Sequence, residues 1–218
     1  MRYKCLVLDH DDTVVNSTAT IHYPCFIEYL KIKKPEKAGN YNLNDYFLKN
    51  FHPGVDWLFL EDVGLTGEEF LAEQDFWAEY VKNHTPKAYK GIKEILDRHK
   101  SEGGIIAVAS HSYKRYILRD YNANGLPLPD AVYSWDMPEK LRKPNPFAIL
   151  DLMEKLSLGK EDILVIDDLK PGFDMARSAG VDFVAAGWAY DVPEIEKFMR
   201  SNCDFYCKSV KDLTDILF

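Results

Sequence analysis

Cysteine is scarce in this sequence. Four residues (Cys5, Cys25, Cys203 and Cys207) in a chain of 218 cannot make a disulfide framework. Cys203 and Cys207 also miss the two-residue gap of zinc-binding or redox pairs, so all four read as structural thiols. Long apolar runs are missing too. The first, ending in Cys5-Leu6-Val7-Leu8, stops at Asp9, short of a secretory signal's apolar segment. No stretch approaches the ~20 apolar residues that cross a bilayer. Positive charge is in deficit, with 27 Lys and Arg against 35 Asp and Glu and a formal net of −8. Nucleic acid and anionic membrane surfaces are therefore not expected partners. Repeats and low-complexity tracts are absent as well. What remains is an acidic chain expected in the cytoplasm, with 46% apolar and 13% aromatic residues, enough to build a core. Its length suits one domain, or a core with a small insert.

Short β-branched runs alternate with amphipathic segments. Strands are expected over Tyr3–Leu8, Gly104–Ala109, Ala131–Ser134, Asp162–Ile166, Val181–Ala185 and Cys203–Tyr206. Helices are expected near 90–102, 112–122, 145–157, 171–179, 192–201 and 209–217. Runs such as Ile105-Ile106-Ala107-Val108-Ala109 suit a parallel sheet covered on both faces. The fold class implied is α/β, a doubly wound, Rossmann-like parallel sheet. From Asn16 to Thr85 the rhythm breaks. No strand pattern occurs there, and aromatic residues recur at helical spacing. Thr66-Gly67-Glu68-Glu69 has the form of a capping box. Behind it Phe70, Gln74, Trp77, Tyr80 and Val81 fall on one helical face. We therefore expect a core of residues 1–15 and 86–218 and an all-helical cap of residues 16–85. The lysines at 31, 33, 34 and 37 read as a solvated helix end and loop.

Three expected strands end in polar residues out of place in a core. They end Asp9-His10-Asp11-Asp12-Thr13, Ser110-His111-Ser112 and Asp167-Asp168. The crevice beyond the carboxyl ends of parallel strands is where open sheets bind ligands, so these residues would meet at one mouth. Asp9 and Asp11, two apart in an extended chain, lean to the same side. Several carboxylates at one mouth repel one another unless a cation sits among them, and all-oxygen ligation suits Mg²⁺. Lys143, in Arg142-Lys143-Pro144-Asn145-Pro146, could add a fixed positive charge. Carboxylates, a metal, a hydroxyl and a lysine make a site for phosphoryl transfer. Spacing alone leaves open which aspartate is the nucleophile.

In these residues the sequence resembles the haloacid dehalogenase-like hydrolases. Asp9-His10-Asp11-Asp12-Thr13 is similar to the family's DxDxT motif, and Ser110 stands at its second-motif hydroxyl. Lys143 in a KPxP setting resembles the third motif, and Asp167-Asp168 the acidic fourth. Gly172 and Ala179-Gly180 keep the helix pattern that follows it. The insert resembles the C1 cap of the phosphoglycolate phosphatase and β-phosphoglucomutase branch. The resemblance implies a nucleophilic Asp9 that forms an aspartyl-phosphate, with Asp11 as general acid and then base. It implies that Ser110 and Lys143 hold phosphoryl oxygens, and His111 is expected to bind phosphate with them. It further implies Mg²⁺ on the Asp9 carboxylate, the Asp11 carbonyl, Asp168 and Asp167. The expected partner is a small phosphorylated metabolite. The sequence departs from the family at three positions. His10 stands for an apolar residue and reads as a packing or supporting contact. Asp12 stands for Gly, and Asp tolerates left-handed backbone better than most residues. Leu169 stands for Ser and removes a hydroxyl near the metal.

The expected activity is hydrolysis of a small organic phosphate, phosphoglycolate phosphatase-like in type. Asp11 argues against halide chemistry, since true dehalogenases lack it. A phosphosugar mutase of the β-phosphoglucomutase type is the alternative. That branch carries a cap histidine where this chain has Ile21, with His22 one residue off. A receiver-like signalling module would carry its paired acids after the first strand and have no insert. Within the cap, His22, Tyr23, His52 and Trp57 read as structural before ligand-touching.

Overall fold

The computed structural model describes residues 1–218. Its sheet has six parallel strands: β1 (Cys5–Leu8), β2 (Ile105–Ala109), β3 (Ala131–Tyr133), β4 (Ile163–Asp167), β5 (Asp182–Ala186) and β6 (Phe205–Cys207). They lie in the order β3-β2-β1-β4-β5-β6. The first strand is thus central, with Cys5 facing Ile105 on one side and Ile163 on the other. Period-two alternation divides the strand side chains between two cores. Leu6, Leu8, Ile106, Val108, Leu164 and Ile166 face α5 (Ile92–Ser101), α6 (Lys114–Ala123) and α10 (Val210–Leu217). Cys5, Val7, Ala107, Ala109, Ile163 and Val165 face α7 (Phe147–Leu156), α8 (Lys170–Ala179) and α9 (Pro193–Asn202). This is the doubly wound sheet the alternating pattern predicts. Strand β6 begins two residues later than its apolar run suggests. The Asp204 carboxylate is used instead to accept the Phe183 amide at 2.8 Å and to pair with Arg177.

Between β1 and α5 every regular element is helical: α1 (Tyr23–Lys33), α2 (Leu43–Phe51), the single turn α3 (Val55–Trp57) and α4 (Gly67–Lys82), with wider turns at Thr18–His22 and Leu58–Asp62. Thr66 and Glu69 make the reciprocal capping box at the start of α4, and Asn42 and Asp45 make another for α2. These helices bury their own aromatic cluster, in which Phe26 packs against Tyr41, Tyr46 and Phe59 at 5.0–5.5 Å between ring centroids. The helical face expected on α4 is correct for Phe70, Trp77, Tyr80 and Val81, but its buried member in the middle is Glu73, not Gln74.

The chain leaves and re-enters the sheet layer side by side. Val15 bridges Ala88, and Asn16 N–H donates to the Lys87 carbonyl at 2.9 Å. Helix α6 grips the end of α4: Tyr116 donates to the Ala78 carbonyl and the Arg119 guanidinium to those of Val81 and His84. A cation there suits the negative end of the α4 dipole. No helix is long and apolar enough to cross a membrane.

Candidate active site

The carboxyl ends of β1, β2 and β4 converge on one cavity of about 260 Å³, whose far wall is made by α2, α4 and the turns between them. Asp9 follows β1, and its amide still donates to the Ile166 carbonyl, so the sheet ladder fixes its position. Asp167 closes β4 and Asp168 follows it. All three aspartates are buried, and each offers an oxygen within 4.8 Å of the others. Lys143 reaches in from the loop before α7. Its Nζ lies 2.8 Å from Asp9 Oδ1 and 2.6 Å from Asp167 Oδ2. Gly172 makes room for this pair, because a Cβ there would stand 2.0 Å from Asp167 Oδ2.

Electrostatically the cluster is short of positive charge. Burial pushes Asp167 up to about 7 against the pull of Lys143, and burial together with Asp12 and Asp167 raises Asp168 well above the carboxylate range. Asp168 Oδ1 is sealed from solvent with no hydrogen-bond partner. A buried carboxylate oxygen without a donor, among aspartates that one lysine cannot neutralise, fits a divalent cation with oxygen ligands.

Asp11 is held differently. Its Oδ1 lies 3.0 Å from His22 Nε2, and its other oxygen accepts the Ser112 hydroxyl. Trp77 Nε1, which can only donate, lies 3.0 Å from His22 Nδ1. The His22 proton therefore sits on Nε2, aimed at Asp11. Burial works against the Asp11 charge, yet His22 and Ser112 hold its carboxyl well below the usual range. Asp12 adopts φ 58°, the left-handed conformation expected at that position, and its carboxylate accepts the Thr18 amide at 3.1 Å.

Ser110 is buried on the cavity wall, where its Oγ accepts the Ser112 amide at 3.1 Å. His111 stands at the mouth with Nε2 3.0 Å from the Lys143 carbonyl, and the cleft wall and the Lys143 charge hold its imidazole below the ordinary value. His10 points away into the core. It stacks on Tyr121 and meets Asp120 Oδ2 at 3.0 Å, and Asp120 in turn accepts from Arg119. Leu169 lines the cavity, and its amide donates to Asp167 Oδ1 at 2.8 Å.

The structure thus brings Asp9, Asp11, Ser110, His111, Lys143 and Asp168 around one cavity, with Asp167 directly behind Lys143. Of the four insert residues read as structural, only His22 lines it. Tyr23 instead donates to the Tyr41 carbonyl, and His52 and Trp57 face solvent. His22, Ser112 and Glu73 are the cavity residues whose part the sequence does not disclose. Ser112 carried a signal, since it lies two residues past Ser110 and so on the same side of an extended chain, and His22 another, one residue from the expected cap histidine.

A profile of the family described as haloacid dehalogenase-like hydrolase matches residues 6–186. Phosphoglycolate phosphatase of Vibrio parahaemolyticus is 26% identical over 72% of this chain and 67% of its own length. Phosphoglycolate phosphatase of Vibrio vulnificus is 27% identical over 59% of this chain and 56% of its own. The aligned stretch thus spans about two thirds of one relative and little over half of the other. Among solved structures, one from Haemophilus somnus, named as a predicted phosphoglycolate phosphatase, superposes with a TM-score of 0.79 at 23% identity. It covers 100% of this chain and 99% of that one. At that identity the likeness is one of fold.

Proposed function

The chain belongs to the haloacid dehalogenase-like hydrolases, and from that membership we propose that it is a cytoplasmic Mg²⁺-dependent phosphatase of small phosphorylated metabolites, working through an aspartyl-phosphate. The observation that carries the reading is the Lys143 ammonium bridging Asp9 and Asp167 at the mouth of the sheet, beside the sealed and unpaired Asp168 oxygen. Asp9 attacks phosphorus and the ester oxygen leaves. Asp11 protonates that leaving oxygen, then takes the proton of the water that cleaves the acyl phosphate. Ser110 and Lys143 hold the phosphoryl oxygens, and His111 braces the Lys143 loop through its carbonyl. The Asp9 and Asp168 carboxylates and the Asp11 carbonyl would hold Mg²⁺, with Asp167 behind them. When bound, the ion neutralises charge on the transferring phosphoryl group. Residues 16–85 act as a cap over the core of residues 1–15 and 86–218, keeping bulk water from the acyl phosphate.

His22 favours a second reading. The phosphosugar mutases of this branch carry a cap histidine near the start of the insert, and here His22 lies 3.0 Å from Asp11 Oδ1. One assay separates the two. The enzyme should release p-nitrophenol from p-nitrophenyl phosphate with Mg²⁺ and lose that activity in excess EDTA. Asp9→Asn should lower the rate by about 10³-fold or more while the circular-dichroism spectrum stays unchanged. Release that survives EDTA, or a fully active Asp9→Asn, would sink the proposal. Conversion of a sugar 1-phosphate into its 6-phosphate without free phosphate would select the mutase.

A further inference from the structure

The cap side of the cavity carries a carboxylate that nothing in the protein neutralises. Glu73 lies on α4, three residues after Phe70 and four before Trp77, so all three share one helix face. It is 5% exposed, it lines the cavity, and it neither accepts a hydrogen bond nor pairs with a cation. A buried carboxylate left in that state is costly, and sequences keep one only against a compensating gain. Burial lifts Glu73 up to about 7.

The surrounding wall is aromatic. Tyr46, Phe59, Phe70 and Trp77 line the same cavity as Glu73. Asp56 adds a second, exposed carboxylate on the cap side. Aromatic rings beside a buried carboxylate make a site for a cation, the rings contributing through their quadrupoles. The cap wall lacks any Lys or Arg, since Lys143 is the only such residue on the cavity and it sits at the sheet end, beside Asp9 and Asp167. The insert's own lysines are turned elsewhere. Lys37 donates to the Asp62 and Val63 carbonyls, Lys49 pairs with Asp62, and Lys34 pairs with Glu69. A substrate with a second acidic group would meet Glu73 and no counter-charge.

We infer that Glu73 and its aromatic neighbours receive a substrate ammonium group, so that the enzyme acts on phosphate monoesters of amino alcohols and discriminates against esters bearing a carboxylate. This rests on the phosphatase reading of the same cavity and narrows it to a substrate class. The phosphate end meets Lys143 and Ser110, and the ammonium end meets Glu73.

The test is calorimetric binding to the Asp9→Asn protein, where turnover does not intervene, with three esters of similar size: O-phosphoethanolamine, glycerol 3-phosphate and 2-phosphoglycolate. O-phosphoethanolamine should bind at least about tenfold more tightly than either of the others. Adding Glu73→Gln should erase that preference, and an unfolding temperature no lower than that of its parent would show that the loss is not misfolding. The inference is overturned if the neutral or the carboxylated ester binds as tightly, if none of the three binds, or if Glu73→Gln leaves the order intact. Failure of the phosphatase reading is seen separately, as wild-type protein inert toward p-nitrophenyl phosphate while the Glu73-dependent preference in binding persists.

Discussion

Glu73 also leaves a mark on stability. Its carboxyl titrates near 4.5 when unfolded and at about 7 in the folded chain. Between those values the folded state binds the proton more tightly, so the free energy of unfolding falls as pH rises from about 4.5 to about 7 and is level above. The shift corresponds to at most about 3 kcal/mol. Urea unfolding of wild type and Glu73→Gln should therefore give similar stabilities near pH 4.5, with the variant the more stable at pH 8. A gap that does not change with pH would remove Glu73 as its source. At this scale the sequence discloses residues in proportion to how far they depart from their element. Asp9, Ser110 and Asp168 stand out because they interrupt apolar strand patterns. Glu73 does not, because a glutamate on an amphipathic helix is ordinary until its burial is known. The bond from His22 to Asp11 is equally hidden, since its geometry depends on Trp77, 55 residues away.

Elements are legible where local chemistry punctuates them. The capping box at Thr66 and the glycine that ends α8 in the left-handed conformation both mark real boundaries. The start of β6 was not legible, because the competing use of Asp204 is a long-range contact. Helix α8 shows how closely an element can be tied to the site. Gly172 lies in its first turn with the Asp167 carboxylate pressed against it. Gly172→Ala would gain helix propensity of about 1 kcal/mol, yet the new methyl group has no space beside a buried, lysine-paired carboxylate. The expected net result is a loss of about 1–3 kcal/mol with a fall in phosphatase rate. Thermal unfolding and p-nitrophenyl phosphate hydrolysis measure both. An unchanged melting temperature would show that α8 shifts freely to admit the methyl.

For the molecule as a whole, the alternation of apolar runs with amphipathic segments was sufficient to predict the doubly wound sheet, because each buried strand is continuous in sequence. The packing of the insert's helices against one another was not, since periodicity gives a face but not its partner. The central position of β1 carries a further consequence, for the order in which the protein acquires structure. Cys5–Leu8 leaves the ribosome first, but the strands that flank it, Ile105–Ala109 and Ile163–Asp167, are made much later. The aromatic cluster of residues 26–65, in contrast, closes within a single short stretch of chain. Contacts near in sequence form sooner than distant parallel pairings. Pulsed hydrogen exchange during refolding should therefore protect amides of α1 and α2 before those of β1, and simultaneous protection would refute that order. The opening strand then waits as an unpaired apolar segment until the second half of the chain arrives, so nascent chains stalled before β4 are the form of this protein most exposed to aggregation.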